Sequence, residues 1–328
     1  MKHTFYTLIV LLVFFSCKKH SDSPIIDNSP NLSLDSLKTL STNIPEAVYS
    51  DLVFTNEVTG YAITQGFIAK TTDAGNSWQT ITLPINTPLK KIQFTDSKTG
   101  YIIGGDNTFG VLLKTVDGGE TWTAINLNTL ECPYGMFFLN NKTGFITGKN
   151  FFSKTTDGGQ TWLSLKSNSF RMFQDVNFKN SSEGFVTSSN GVYFKTTDGG
   201  VSWDSLKCNS ADYLYDIYFT GNKILVVNAD DNMVDLAHNY QLTLKPASAR
   251  KLLFLSAEKC VGVGFSDTQG FYPDGNILIT NDGWATYQQK TFSLFTGLSF
   301  TAIAKMTDDK VMILGVAYHA AKVMVLNR

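Results

Sequence analysis

The residues with the clearest chemical potential are aspartates that recur at a nearly constant interval along the chain. Asp73, Asp117, Asp157 and Asp198 lie 40 to 44 residues apart within segments of the form Lys-Thr-x-Asp-x-Gly-x-Ser/Thr-Trp. Repeated carboxylates suggest calcium, which takes six to eight oxygen ligands. Since each segment offers one carboxylate, we expect these aspartates to shape a turn, and we expect no metal or other cofactor.

The other residues of each segment suit a tight turn. Aspartate accepts hydrogen bonds from the N–H groups of a turn, glycine tolerates a positive φ, and tryptophan offers an apolar face to a neighbouring element. A weaker copy surrounds Asp282, where Trp284 replaces the second glycine, and Asp235 with Tyr240 fits the gap before it. The lysine before each intact segment is expected to be a solvated outer residue. The predicted structural residues are Asp73, Trp78, Asp117, Trp122, Asp157, Trp162, Asp198, Trp203 and Asp282.

The elements that position these turns are predicted from a second repeat, Phe-x-Asp/Asn-x-x-x-Gly-Tyr/Phe, which precedes each segment. Clear copies begin at residues 53, 93, 137 and 177, and weaker copies lie near residues 218, 254 and 304. Each copy is a short strand, a polar turn and a second strand. A unit of about 40 to 45 residues with four short strands is typical of a propeller blade.

The repeats therefore predict an all-β protein, a single seven-bladed β-propeller with four-stranded antiparallel blades. The last unit, which begins near residue 301, has length for only three strands. Residues 34–42 have no preceding strands of their own unit, and we expect them to form the outermost strand of the last blade. Such closure of the ring by an N-terminal strand hides sheet edges that would otherwise pair with other chains.

The aspartate segments resemble Asp-box repeats, also called bacterial neuraminidase repeats. Together with the second repeat they are similar to the propellers of the photosystem II assembly and stability factor family, over roughly residues 33–328. The resemblance implies a propeller that holds a partner protein on a basic, arginine-bearing patch, for which this chain offers only Arg171 and Arg250. Because one fold hosts many functions, the function has to be argued from a site.

Hydrolysis of glycosides is the alternative chemistry that the residues leave open. Asp-boxes also occur in sialidases, and that resemblance would imply three arginines that grip a carboxylate. The chain has only Arg171, Arg250 and the terminal Arg328. Other glycosidases need only two carboxylates about 5 to 10 Å apart. We therefore predict a non-catalytic scaffold that binds or assembles proteins, with a glycoside hydrolase or carbohydrate-binding propeller as the alternative.

The N-terminus has the form of a targeting signal. A short basic start is followed by an apolar run over residues 8–15 and by Ser16 and Cys17, a pattern typical of a signal peptide. It resembles a lipoprotein signal of the Bacteroidota type, in which Cys17 becomes the lipidated N-terminus. We expect a signal over residues 1–17, a flexible tether over 18–32 and the propeller over 33–328. The basic residues 18–20 favour the periplasmic side of the outer membrane, with surface exposure as the alternative.

Composition narrows the range of partners. The chain has 27 Lys and Arg against 28 Asp and Glu, a net charge of −1, whereas nucleic-acid binding needs a basic field. Cys132, Cys208 and Cys260 lie at unrelated positions of their repeats, and they are interpreted as small buried residues. The expected partner is an envelope protein or a glycan, with membrane contact through the lipid anchor only.

A partner is expected on the face opposite the Asp-box turns. The loops between strands two and three and between blades lie there, and they differ from repeat to repeat, which suits recognition on a regular scaffold. Aromatic residues and arginine are enriched at interface hot spots, although many such rings also pack between blades. The predicted binding residues are Tyr134, Arg171, Phe173, Tyr213, Tyr272 and Asp274.

Overall fold

The computed structural model describes residues 31–83, 85–106, 108–127, 132–208, 213–221, 223–228, 233–236, 240–242, 249–266, 274–292, 299–317 and 320–327. The predicted signal peptide, almost all of the tether, the lipidation site Cys17 and the candidate Tyr272 lie outside these residues. Within them the fold is all-β, with one 3-10 helix at Leu34–Ser36. No helix in the described ranges is long and apolar enough to cross a membrane.

The strands are short and follow one another closely. In chain order they are β1 (Lys38–Leu40), β2 (Asp51–Phe54), β3 (Gly60–Ile63), β4 (Phe67–Thr71), β5 (Gln79–Thr82), β6 (Leu89–Phe94), β7 (Gly100–Gly105), β8 (Gly110–Thr115), β9 (Thr123–Asn126), β10 (Pro133–Phe138), β11 (Gly144–Thr155), β12 (Leu163–Phe178), β13 (Gly184–Ser188), β14 (Val192–Thr196), β15 (Asp204–Lys207), β16 (Leu214–Thr220), β17 (Lys223–Asn228), β18 (Met233–Asp235), β19 (Tyr240–Leu242), β20 (Ala249–Phe254), β21 (Cys260–Ser266), β22 (Asp274–Thr280), β23 (Gln288–Phe292), β24 (Ser299–Thr307), β25 (Lys310–Ala317) and β26 (Ala320–Asn327).

Five of the sheets are four-stranded antiparallel blades. Four of these five follow the chain in simple order: β2 to β5, β6 to β9, β16 to β19 and β20 to β23. The fifth has the order β1-β26-β25-β24, so the N-terminal strand completes a sheet made by the C-terminal ones. Residues 34–42 were expected to supply this strand, and β1 lies within them.

The prediction of seven four-stranded blades is wrong. Five blades have four strands, and the two units between residues 133 and 207 form one six-stranded sheet, β10 to β15. The cause is β12, which runs without a break from Leu163 to Phe178. Its first part pairs with β11 and its second part pairs with β13. The spacing of the repeats counted units, but it could not show that this link is an extended strand rather than a loop.

A Phe–Gly pair explains why the first two strands of a unit meet in a fixed register. Phe138 at the end of β10 faces Gly144 at the start of β11. A Cβ on Gly144 would lie 2.4 Å from the Phe138 ring, so only glycine leaves room for the ring there. The same pairing joins Phe94 with Gly100. Burial of the ring by both strands contributes to the core between neighbouring sheets.

The first strand of each unit lies around a common centre. These strands contact one another in the cyclic order β2, β6, β10, β12, β16, β20, β24 and back to β2. The outer strands, such as β5, β9 and β15, carry mostly exposed residues. The molecule is thus a closed β-propeller whose first strands surround a central channel, and side chains at their starts face one another across it.

Candidate functional site

The Asp-box turns share one hydrogen-bond pattern. In the box of Asp157, Oδ1 accepts hydrogen bonds from the Thr155 hydroxyl at 2.8 Å and from the Thr161 N–H at 2.9 Å. Its second oxygen accepts the Thr161 hydroxyl. These bonds lower the pKa of the Asp157 carboxyl to about 2. Asp73, Asp117, Asp198 and Asp282 make the same contacts with their own Ser or Thr. The carboxylates are therefore occupied with the turn itself.

The box tryptophans pack between repeats. Trp203 lies edge-on to Phe145 and Phe152 of the preceding unit, with ring centroids 5.9 and 4.9 Å apart. In Trp78 and Trp162 the indole N–H donates, at 3.1 Å, to the carbonyl of the glycine that lies two residues after the box aspartate. The weaker box achieves the same burial from another position. Trp284 stands in the second glycine's place with φ +71° and is 1% exposed against the preceding blade.

Two expectations about the boxes are wrong. The lysines before them are buried or half-buried, because each lies over an aromatic ring of its own unit. The lysines of the first three boxes also reach the next repeat. Lys114 lies 5.4 Å from the Tyr101 ring centroid and donates to the carbonyl of Gly158, and Lys70 is 8% exposed and pairs with Glu120. Asp235 is not a box aspartate. It lies buried within β18 and pairs in register with Tyr240, so the five-residue offset reflects a strand pair.

The box turns lie on one face of the propeller together with the turns between the first two strands. Gly118 of one box donates its N–H to the carbonyl of Lys98 at 2.8 Å, and Gly158 makes the same bond to Lys142. The first strands run toward this face, because those turns follow them. Their starting residues consequently lie toward the opposite face, where the connections between units arrive. The candidate site is at these starts.

Charged side chains face the channel from equivalent positions of the first strands. Each lies three residues before the first phenylalanine of the second repeat, Phe-x-Asp/Asn-x-x-x-Gly-Tyr/Phe. The position is occupied by Asp51, Lys91, Gly135, Asp175, Asp216 and Lys251. We call the five charged members the charge ring. No group of three or more His, Cys, Asp or Glu placed to hold a metal ion occurs among the described residues.

Two ion pairs cross the channel within the charge ring. Lys91 Nζ lies 2.6 Å from Asp175 Oδ1, and Lys251 Nζ lies 3.2 Å from Asp51 Oδ1. The first pair passes the unit that contributes Gly135, where a Cβ would lie 2.9 Å from Asp175 Oδ1. Burial alone would lower the pKa of Lys91, but the charge and hydrogen bond of Asp175 outweigh it and raise the pKa. Lys91 is therefore held as a cation by Asp175.

Asp216 is the charge-ring carboxylate that has no lysine partner among the described residues. It accepts a hydrogen bond from the Tyr218 hydroxyl at 3.3 Å, and that hydroxyl accepts the Leu252 N–H at 3.3 Å. Burial raises the pKa of Asp216, and the neighbouring charge of Asp175 raises it further. Burial also raises the pKa of Tyr218 well above its ordinary value. The charges of Lys91 and Lys251 lower the pKa of Asp216 without cancelling these effects. Asp216 is thus a channel carboxylate with a raised pKa and no ion pair among the described residues.

The residues immediately before the charge ring form the mouth of the channel. Register shifts in these first strands, for example between Leu89 and Lys91, mark β-bulges that turn the extra residue out of the regular alternation. A cavity of about 170 Å³ opens there. It is lined by Lys90, Tyr134, Gln174, Tyr215 and Asp216, and we call it the mouth cavity. Lys90 Nζ lies 4.6 Å from the Tyr134 ring centroid.

Of the predicted binding residues that the structure describes, some lie at the mouth cavity and others do not. Tyr134 lines the mouth cavity, and Tyr213, which is 41% exposed, lies two residues before Tyr215 of its lining. Phe173 is 1% exposed and packs against Phe152 and Phe194, so it belongs to the core. The other two described candidates do not line the mouth cavity: Arg171 stacks 5.8 Å from the Phe194 ring centroid, and Asp274 is buried at the start of β22.

Sequence reasoning missed the charge ring and most of the mouth cavity. A signal was present, since the third residue before the repeated phenylalanine is charged in five units. The residues that would have been found are Asp51, Lys91, Asp175, Asp216 and Lys251, with Lys90 and Gln174 one position earlier. Charges at a strand start resemble ordinary solvated residues until the strands are arranged around one axis.

The three described cysteines are buried free thiols, as interpreted.

The fold and the site define a β-propeller with a charged central channel. Residues 33–129 and 69–170 match the family model described as Photosynthesis system II assembly factor YCF48. The chain is accordingly a β-propeller that is similar to photosystem II assembly factors over residues 33–170. No curated protein matches the chain in sequence.

Solved structures agree with this fold. A structure described as YCF48 bound to D1 peptide aligns with a TM-score of 0.69 and 18% identity, over 91% of this chain and 99% of that chain. YCF48 from Cyanidioschyzon merolae aligns with a TM-score of 0.67 and 15% identity, over 89% and 99%. A streptogramin B lyase aligns with a TM-score of 0.62 and 14% identity, over 89% and 97%. Since assembly factors and a lyase share the fold, the fold alone leaves catalysis undecided.

Proposed function

We propose that this propeller is a non-catalytic scaffold that binds or assembles proteins and holds its partner at the mouth of the central channel. The observation that carries the proposal is the mouth cavity, where Tyr134 and Tyr215 stand beside the Asp216 carboxylate. Tyr215 is 40% exposed, so its ring is available to a partner. Exposed aromatic rings beside a charged group are typical of interface hot spots.

A similar propeller supports a polypeptide partner. The alignment with the structure described as YCF48 bound to D1 peptide includes 99% of that chain. We propose that this protein likewise binds a polypeptide segment. Since the two propellers share only 18% of their residues, we expect the segment to have a different sequence. The remaining surface near the cavity, including the exposed Tyr213, would contact the rest of the segment.

We further propose that the scaffold works in the cell envelope, attached through a lipid on Cys17. The support is the signal-like sequence that ends in Ser16 and Cys17. Labelling of growing cells with a radioactive fatty acid tests the anchor. The full chain should take up label and Cys17→Ser should not. Equal label in both proteins would refute the anchor without affecting the scaffold proposal.

Affinity capture from envelope extract tests the scaffold. The full chain, carrying a C-terminal tag, is compared with the double variant Tyr134→Ala, Tyr215→Ala. Val201→Ser serves as the control, because Val201 is 75% exposed on the Asp-box face. A partner protein should be retained by the native chain and by the control and lost from the double variant. A partner that the double variant retains equally would contradict the proposal.

The second candidate is a glycoside hydrolase or carbohydrate-binding propeller, and one observation favours it. Asp175 and Asp216 share the channel, and Asp175 is ion-paired while the pKa of Asp216 is raised. Two carboxylates that face one channel, one of which has a raised pKa, are the groups that glycoside hydrolysis needs. A glycan array and a panel of chromogenic glycosides test this candidate. Hydrolysis that Asp216→Asn abolishes would establish it, whereas no binding and no turnover would remove it.

A further inference from the structure

The charge ring contains one carboxylate more than it has ammonium groups. Lys91 pairs with Asp175 and Lys251 with Asp51, which leaves Asp216 with the Tyr218 hydroxyl at 3.3 Å. A neutral hydroxyl compensates a partly buried carboxylate less well than a cation does. Burial and the charge of Asp175 raise the pKa of Asp216, although the charges of Lys91 and Lys251 act in the opposite direction. A cation placed beside Asp216 would correct the imbalance of charge.

The walls of the mouth cavity suit such a cation. Tyr134, Gln174 and Tyr215 line the same cavity of about 170 Å³ as Asp216. Aromatic faces attract ammonium and guanidinium groups, and aliphatic stems pack well along them. Lys90 shows that an ammonium fits at this rim, because its Nζ lies 4.6 Å from the Tyr134 ring centroid. Lys90 makes no ion pair with Asp216, so that carboxylate is left for an incoming group.

We propose that the mouth cavity binds an alkylammonium or guanidinium group, the side chain of a lysine or arginine in the partner protein. Its charge lies against Asp216 and its stem against the Tyr215 ring. A carboxylate or phosphate ligand would be repelled by Asp216 and is not expected there. The inference rests on the proposed function and specifies the chemistry that its site recognises. It reverses the arrangement implied by an arginine-bearing patch, because this chain supplies the carboxylate.

Titration with a small lysine derivative tests the inference. Nα-acetyl-lysine amide is added to the full chain at neutral pH, and binding is followed by NMR, which detects weak affinities. Binding should be saturable, and it should weaken by about tenfold or more in Asp216→Asn, since a charge-assisted contact contributes about 1.5 to 3 kcal/mol. Asp204→Asn is the matched control, because Asp204 is an exposed carboxylate on the outer strand β15. It should bind as the native chain does.

A second probe separates charge from shape. Nα-acetyl-glutamine amide carries no positive charge, and it should not compete with the lysine probe. Equal binding of the two probes, equal binding by Asp216→Asn, or no binding of the lysine probe to the folded native chain would overturn the inference. If partner capture still depends on Tyr134 and Tyr215 in that case, the scaffold proposal stands and only the cation is wrong. If capture is also independent of those tyrosines, both fail.

Discussion

At the scale of single residues, the same side chain does opposite things on the two faces of the propeller. Asp157 on the box face has its charge satisfied by the hydroxyl and N–H of Thr161, which lower the pKa of its carboxyl. Asp216 in the channel has its pKa raised by burial and by Asp175. A carboxylate stabilised by its surroundings serves construction, and one that its surroundings destabilise is a candidate for binding.

Removal of a box carboxylate should lower stability and leave binding intact. Asp157→Ala deletes the acceptor of both Thr161 groups. The expected loss is about 1 kcal/mol, as for a lost helix cap that satisfies similar N–H groups, or about 2 °C in Tm for a chain of this size. Thermal unfolding measures it, with the exposed Asp204→Ala as control. A loss of partner capture at unchanged Tm would contradict the structural role.

The box carboxylates should also make the protein sensitive to acid. Hydrogen bonds from Thr121 and Thr161 lower the pKa values of Asp117 and Asp157 to about 2, below the unfolded value of about 3.9. Their stabilising contribution is complete above that unfolded value and is lost as the pH falls through the folded value. The Tm advantage of the native chain over Asp117→Asn, Asp157→Asn should therefore shrink from pH 5 to pH 2. A constant difference would show that ionisation is irrelevant.

Ionisation of Asp216 should affect stability in the opposite direction from ionisation of the box aspartates. Because its folded pKa is raised, its unfavourable contribution is absent below the unfolded pKa and grows as the pH rises toward and through the folded one. Asp216→Asn should consequently raise the Tm at pH 7 and change it little at pH 3. Melting curves at the two pH values decide this. A lower Tm at pH 7 would mean that the charge of Asp216 stabilises the channel.

At the scale of elements, the repeat predicted the strands well because the residues that determine the strands and turns of a unit lie within that unit. The Phe–Gly pair sets the first register, and the box sets the last turn. The link between units carries no such signal, so the continuous β12 was missed. The lysines were misjudged for a related reason, since Lys114 finds its partner, the Gly158 carbonyl, in the next repeat. Contacts within a unit can be predicted from spacing, and contacts between units need the arrangement.

Closure by β1 leads to a prediction for truncated chains. A chain that begins at residue 31 keeps β1, and one that begins at residue 43 loses it together with Leu32, which is 2% exposed. The shorter chain should lose about 3 to 5 kcal/mol through that burial and the strand hydrogen bonds. It should also aggregate through the exposed edge of β26. Denaturant unfolding and light scattering measure both effects, and equal stability of the two chains would refute closure by β1.

At the scale of the whole molecule, the candidate site exists only because the ring closes. Lys91 and Asp175 are 84 positions apart in sequence, and Lys251 and Asp51 are 200 apart. Such pairs cannot be predicted from a local pattern, which explains why the predicted binding residues include Tyr134 and Tyr213 near the mouth cavity but not Asp216. The box motif that identifies the fold lies on the opposite face. The recognisable repeat forms the strands around the channel, and the residues at the starts of the first strands supply its charged groups.

The most direct measurement of the central claim, that the partner sits at the channel mouth, is site-specific photocrosslinking in cells. A benzophenone amino acid replaces Tyr215, which is 40% exposed at the mouth, in one full chain, and Val201, which is 75% exposed on the Asp-box face, in another. We expect a crosslinked protein partner from position 215 and none from position 201. A partner that crosslinks from position 201 alone would contradict this expectation.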